Sequence, residues 1–352
     1  MLNSYELRKE VERVSQKEIE RLFSELDTSV QLLQKELGVS YLEGLSETGE
    51  NIVDGRSVVQ DNNRLSDQAV QLLTTLYQEL SLGDMNPEEI RKSFQLALLK
   101  GTKSDQIQAN HQMTPDAIGF ILAYLIEKVI DIDSKKIRLL DPAIGTGNLL
   151  STIYNSLTLK KIEVEAEGID NDDLLLSLAS INFELQGQKL KLTHQDALTD
   201  LLLDPVDVVV SDLPVGFYPI DENAKRFKTS SNEGHSYAHH LFIEQSIYYL
   251  KDSGYGVFLV PTQLFESKES AALTKMIQSE AFLQGMLHLP KELFKSEESR
   301  KSILLVQKKG DKANQAKQVL LAQIPDFKNQ TSMQHFMQEV EKWKQENIKN
   351  KK

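Results

Sequence analysis

Cysteine is absent from the 352 residues. That excludes a disulfide framework and any thiolate metal site, and it removes the need for an oxidising compartment. Long apolar runs are missing as well. Nothing approaches the ~20 residues that a membrane helix requires, and the amino terminus "MLNSYELRKEVERVSQ" lacks the apolar core of a signal peptide. A cytoplasmic chain with no membrane partner is expected. The third absence is basic excess: the net charge is −12, whereas chains that grip duplex nucleic acid unaided carry a basic footprint. This argues against autonomous, tight DNA binding. No GK[ST] triplet occurs, which excludes a phosphate-cradling P-loop.

What is present reads as a folded core with an appendage. Residues 1–105 form an expected N-terminal helical domain. Leu7, Val11, Val14, Leu22, Leu26, Val30, Leu33 and Leu37 make one apolar stripe at three- and four-residue spacing, with Gly38 as a stop. The stripe either packs on neighbouring helices, the simpler reading, or forms a homodimer seam. The polar stretch "SETGENIVDGRSVVQDNNR" follows, then two more helical patterns. The second opens on Asn86 as cap and Pro87, and ends at Gly101.

Residues 106–325 alternate strand and helix. "KIRLLD", "VEAEGID", "LKLTHQD", "VDVVVSD", "YGVFLVP", "GMLHLP" and "SILLVQKK" read as seven apolar strands with helical patterns between most of them. This predicts a doubly wound, mostly parallel α/β sheet, Rossmann-like and covered on both faces. The last two strands lack an intervening helix, so one is expected to run antiparallel at the edge. Residues 326–352, with "QEVEKWKQENIKNKK", read as a polar helix and solvated tail.

The chemistry-bearing residues cluster at strand ends. In "LLDPAIGTGNLL", Asp141 ends a strand, and Gly145 and Gly147 allow a tight turn and close ligand approach before a helix. That crossover is where doubly wound sheets bind ligands. Asp170 ends the next strand, where an acid can accept both ribose hydroxyls of an adenosine-type ligand. Asp196 ends the third, placed to accept from an adenine amine, with the backbone of Ala197 as a donor. In "VVVSDLPVGFYP", Asp212 ends the fourth. Beyond it, "ENAKRFKTSSNEGHSYAHH" holds Lys225, Arg226 and Lys228, a phosphate-contacting patch or a mobile solvated loop over the substrate side. It also holds His235, His239 and His240, which lack the carboxylate of an H-E-x-x-H metal motif.

Taken in order, these segments resemble the class I S-adenosylmethionine (AdoMet) methyltransferases that act on adenine N6. "DPAIGTGNLL" resembles their D-P-A-x-G-[ST]-G-x-[FL]-[FL] signature, and "GID", "QDAL", "VVVSDLPVGF", "LKDSGYGVFLVPTQLF" and "MLHLPKELFKSEESRKSILLVQKK" continue the likeness. Upstream, "HQMTPDAIGFILAYLIE" is similar to the lid-helix start in modification subunits of type I restriction systems. The resemblance spans residues 108 to 309. The whole chain looks closest to stand-alone bacterial proteins described as adenine-specific DNA methyltransferases.

The resemblance implies AdoMet as cofactor and DNA as substrate. Asp141, Pro142 and the turn from Ala143 through Gly145, Thr146, Gly147 and Asn148 would hold the methionine end, and Asp170 with Asn171 the ribose. Asp196 and Ala197 would hold the adenine ring, and Thr114 and Pro115 would form the lid. Asp212, Leu213, Pro214 and Val215 match the [DNS]-P-P-[FYW] tetrapeptide, in which the acid and the Leu213 carbonyl accept the N–H groups of the target amine. Leu213 departs from the first proline and Val215 from the base-stacking aromatic, a role left to Phe217 or Tyr218. Two alternatives remain open: an RNA or protein-amide acceptor, and a module that binds AdoMet without transferring methyl.

Overall fold

The computed structural model describes residues 15–55, 58, 65–106, 113–130, 136–267 and 269–348. Among the described residues four helices come first: α1 (Gln16–Leu37), α2 (Tyr41–Val53), α3 (Asp67–Glu79) and α4 (Pro87–Ser104). The α1 stripe turns inward, with Leu22, Leu26, Val30 and Leu33 buried among α2, α3 and α4. Here it serves the chain's own core. Leu7, Val11 and Val14 lie outside the described residues. Gly38 ends α1 in the left-handed conformation, as the sequence predicts.

One segment read as polar loop is helical. Within "SETGENIVDGRSVVQDNNR", residues 46–53 belong to α2, which a Ser40–Glu43 capping box initiates. Its small polar face is buried: Ser46, Thr48 and Asn51 point inward. A Cβ on Gly49 would sit 2.3 Å from Ile181 Cγ2, so only glycine permits this approach. Small hydroxyl residues gave no apolar periodicity to read. Through α2 the helical region shares one apolar cluster with Leu178, Ile181 and Leu185 of the following sheet domain.

Next come α5 (Asp116–Val129), β1 (Lys136–Asp141), α6 (Asn148–Leu159), β2 (Glu163–Asp170), α7 (Asp173–Leu185), β3 (Leu190–His194) and β4 (Val206–Asp212). They are followed by α8 (Asp221–Ala224), α9 (Ala238–Tyr249), β5 (Leu250–Pro261), α10 (Ser270–Glu280), β6 (Ala281–His288), β7 (Lys301–Lys308), β8 (Leu320–Gln323) and α11 (Gln330–Asn347). The sheet order is β3-β2-β1-β4-β5-β7-β6-β8. Burial on both faces explains the continuous apolar strands. In β4, Val209 enters one core and Val208 and Val210 the other; in β7, Leu304 and Val306 alternate with Ile303 and Leu305 in the same way.

Two expectations need correction. The antiparallel strand is β7, and it lies between β5 and β6 rather than at an edge. An eighth strand, β8, pairs parallel with β6 and takes the edge, so the sheet has eight strands, not seven. At four residues, β8 is too short for its alternation to register. The carboxyl-terminal helix also differs from a solvated tail: Phe336, Val340 and Trp343 are buried in the main core, and Trp343 Nε1 donates to the Gln318 carbonyl at 2.7 Å. Among the described residues, no helix is long and apolar enough to cross a membrane.

Candidate functional site

The parallel strands β1, β2 and β4 end in acids on one edge of the sheet, and the turns after them carry the predicted site. Asp141 is buried and accepts from the Ala143 N–H at 3.1 Å. Burial pushes its carboxyl up to about 7, aided by Asp170 and Asp212, against the Ser211 hydroxyl and the Ala143 N–H. After Pro142 and Ala143, Gly145 (φ 54°) and Gly147 (φ 73°) both adopt the left-handed conformation, and Gly147 caps α6. A Cβ on Gly145 would meet no atom within 4 Å, so the turn faces open space. Asp170 braces that turn, taking the Gly145 N–H at 2.8 Å and the Asn171 N–H at 2.9 Å. The Thr146 carbonyl accepts from Asn182 at 3.4 Å.

Asp196 follows β3 and accepts from the Leu198 N–H at 2.9 Å and from the Tyr218 hydroxyl. Burial, with Asp196 beside it, pushes the Tyr218 phenol up to about 12, so it remains a donor. The Tyr218 ring lies in the core and its hydroxyl is committed, so it is not free to stack. Phe217 is 60% exposed and stacks on Tyr237, with ring centroids 4.7 Å apart and planes at 19°. Val215 is partly exposed, whereas Leu213 is buried. The Ala197 carbonyl is occupied by Gln245 Nε2 at 2.8 Å.

Asp212 is the meeting point. Thr114 Oγ1 donates to its Oδ2 at 2.8 Å, and Lys301 Nζ donates to its Oδ1. Pro214 sits in the turn that follows. Thr114 belongs to the predicted lid and Pro115 caps α5. Asn148 Nδ2 donates to the Thr114 carbonyl at 3.2 Å, and Asn148 Oδ1 accepts from Arg91 at 2.9 Å. Arg91, from α4, is fully buried and also pairs with Glu88 and Asp116, each at 2.7 Å. Burial alone would lift the Asp116 pKa, but the Arg91 guanidinium holds it below the usual carboxylate value. A hydrogen-bonded path thus runs from the helical region to the tetrapeptide.

Sequence reasoning passed over Arg91 and Lys301. Arg91 did leave a signal: it stands on the α4 face of Phe94 and Leu98, where a charge needs a partner. Lys301 left none, because its position depends on the reversed course of β7. Each basic residue beyond the tetrapeptide has an acidic neighbour at the surface. Lys225 pairs with Glu222, Arg226 with Asp200 and Lys228 with Glu280. The segment read as mobile is tied down, with Lys228 N and Thr229 N both donating to Glu244. His235 contacts Asp221, whereas His239 and His240 are buried; burial, then His240, draws His239 down to about 3.

Residues 98–351 match the N-6 DNA methylase family over more than half of the chain. The chain belongs to that family. Residues 20–102 match a second description, the YtxK N-terminal helical domain. The chain is 41% identical to Bacillus subtilis YtxK over 319 residues, covering 90% of this chain and 95% of that protein. It is similar throughout to the structure of a Listeria monocytogenes protein assigned to the class I AdoMet-dependent methyltransferases. That match has TM-score 0.87 and 47% identity, and covers 94% of this chain and 99% of the other. A methyltransferase subunit of a Streptococcus thermophilus type I restriction-modification system shares the fold, with TM-score 0.61 and 15% identity over 91% of this chain and 74% of that one. For an N-6 DNA methylase family member, a class of AdoMet-dependent methyltransferases, the open glycine turn is a fitting cofactor cradle: buried Asp141 accepts from its Ala143 N–H, Asp170 accepts from its Gly145 N–H, and the space over Gly145 is open.

Proposed function

We propose that this chain is an AdoMet-dependent N-methyltransferase whose acceptor is the N6 amine of adenine in DNA. The observation that carries the reading is the position of Asp212, at the end of β4 on the edge that also bears the Gly145 turn, with Thr114 of the lid segment bonded to it. Asp141 and the turn from Pro142 to Asn148 would hold the methionine portion, Asp170 and Asn171 the ribose, and Asp196 and Ala197 the adenine ring. When bound, AdoMet supplies an electrophilic methyl group on its sulfonium.

The residues of the chain do the rest. An aromatic amine is a poor nucleophile because its lone pair is delocalised into the ring. Asp212 and the Leu213 carbonyl, accepting its two N–H groups, draw the nitrogen toward tetrahedral geometry and free the lone pair. As the nitrogen gains positive charge, a carboxylate at Asp212 stabilises it more than a neutral side chain would. Phe217, exposed and backed by Tyr237, offers a planar surface for an extruded base.

A second reading has specific support. The net charge of −12 and the acid-paired Lys225, Arg226 and Lys228 fit RNA or a protein amide presented by a partner as well as they fit DNA. Transfer of tritiated methyl from AdoMet to genomic DNA, total RNA and lysate protein separates the readings. Label in DNA adenine alone is expected. Label confined to RNA or protein replaces the acceptor, and AdoMet binding with no label anywhere leaves a binding module.

A further inference from the structure

The reversal of β7 has a chemical consequence. Lys301, its first residue, pairs with Pro261 at the end of β5, while Asp212 pairs with Leu259 of the same strand. An antiparallel strand inserted among parallel ones thus delivers a cation to the edge where the acids stand. Lys301 Nζ meets Oδ1 of Asp212, and the two side chains keep 26% and 20% of their surface exposed. The contact is therefore not sealed in the core. An ammonium carries three donors, and among the described residues Asp212 is the one acceptor that Nζ reaches. Each carboxylate oxygen keeps a lone pair beyond the bonds it makes to Lys301 and Thr114. What the pair offers outward is an acceptor and a donor side by side.

We propose that Lys301 is a specificity-determining residue: its ammonium donates to the lone-pair atom next to the acceptor amine, so that Asp212 and Lys301 together read a planar donor–acceptor edge. This rests on the adenine reading above, and in adenine the edge is the N6 amine and ring N1. An aliphatic amine has no adjacent lone-pair atom. It would leave without a partner the Lys301 donors that do not reach Asp212 as the site closes, which is the form of mismatch that sites built on hydrogen bonds reject most strongly.

The test titrates the full-length chain, saturated with S-adenosylhomocysteine, with adenosine and with 1-deazaadenosine, in which C–H replaces ring N1 and the amine is kept. The wild type is expected to bind adenosine about tenfold more tightly, the scale of one well-placed contact to a base edge. Lys301→Met should bind the two alike, and Lys301→Arg should restore the preference. Equal binding by the wild type, or a preference that persists in Lys301→Met, overturns the role of Lys301 and leaves the adenine reading standing. Failure of adenosine itself to bind sinks both. If Lys301→Met does not fold, as judged by loss of S-adenosylhomocysteine binding together with loss of its thermal transition, Lys301→Ala makes the same comparison.

Discussion

The two halves of the sheet's carboxyl edge are built differently. On one side, β1 and β2 end in Asp141 and Asp170, and the groups they brace come from the turn immediately after β1: Ala143 and Gly145 donate to them. On the other side, Asp212 is held by Thr114 and Lys301, 98 and 89 residues away in the chain. A cofactor common to many reactions can be served by a local motif that folds with its own crossover. An acceptor site has to be assembled from elements that can vary independently. The variation shows at once, since Leu213 and Val215 depart from the tetrapeptide while the glycine turn keeps its pattern.

The sharpest way to break this division is Asp212→Ala. If the halves are separable, methyl transfer falls by about 10³-fold, the scale of removing one group aimed at developing charge, while AdoMet affinity changes by less than about tenfold. Parallel kinetics and calorimetry check it. A collapse of cofactor affinity would show that Asp212 belongs to the other half.

Arg91 tests what joins the halves. Its guanidinium is buried against Glu88, Asp116 and Asn148. Arg91→Met takes the buried cation from Asp116 and from Glu88, which keeps only Lys92 at 3.8 Å, and breaking a buried pair costs about 3–5 kcal/mol. Urea denaturation should show that loss in the midpoint. A change below about 1 kcal/mol, the scale of a surface pair, would demote Arg91 to an ordinary ion pair.

The cofactor half can be probed by a matched pair of glycines. Gly145 and Gly187 both adopt positive φ, and a Cβ on either would meet no atom within 4 Å. Alanine at each should cost about 1–2 kcal/mol through the left-handed backbone alone. Only Gly145→Ala should also weaken AdoMet binding, by about tenfold or more, because only there does a ligand need the space. Equal affinities in the two variants would remove the cofactor from the glycine turn.

The same contrast explains what the sequence revealed. The Gly38 stop, the Asn86 cap and the acids that end β1, β2 and β4 rest on local rules of spacing and capping, and all appear in the fold, whereas Asp196 lies two residues past the end of β3. Where the outcome depended on tertiary context, the sequence was mute. Residues 46–53 hide a helix because glycine and small hydroxyls, not apolar periodicity, let α2 approach Ile181. Placing β7 inside the sheet, and so Lys301 beside Asp212, required knowing which strand pairs with which. Tyr218 lies near the tetrapeptide in sequence, which alone suggests a stacking ring. Its burial and its bond to Asp196 follow from a packing that no two-residue offset discloses.

The smallest effect concerns pH, and it separates Asp141 from its neighbours. Burial holds its carboxyl at about 7 in the folded chain, well above its value in an unfolded one. A group with a raised folded pKa contributes stability below its unfolded pKa and loses that contribution as pH rises through the folded value. The ligand-free chain should therefore lose about 1 kcal/mol between about pH 6 and pH 8 from this group, as the folded state gives up a proton that the unfolded state has already released. Asp141→Asn keeps the shape and removes the titration, so its denaturation midpoints at the two pH values should differ less than those of the wild type by that amount. If Asp141→Asn retains the full pH dependence, the proton resides elsewhere on the acidic edge, and the proposed division between buried Asp141 on the cofactor side and partly exposed Asp212 on the acceptor side would have to be redrawn.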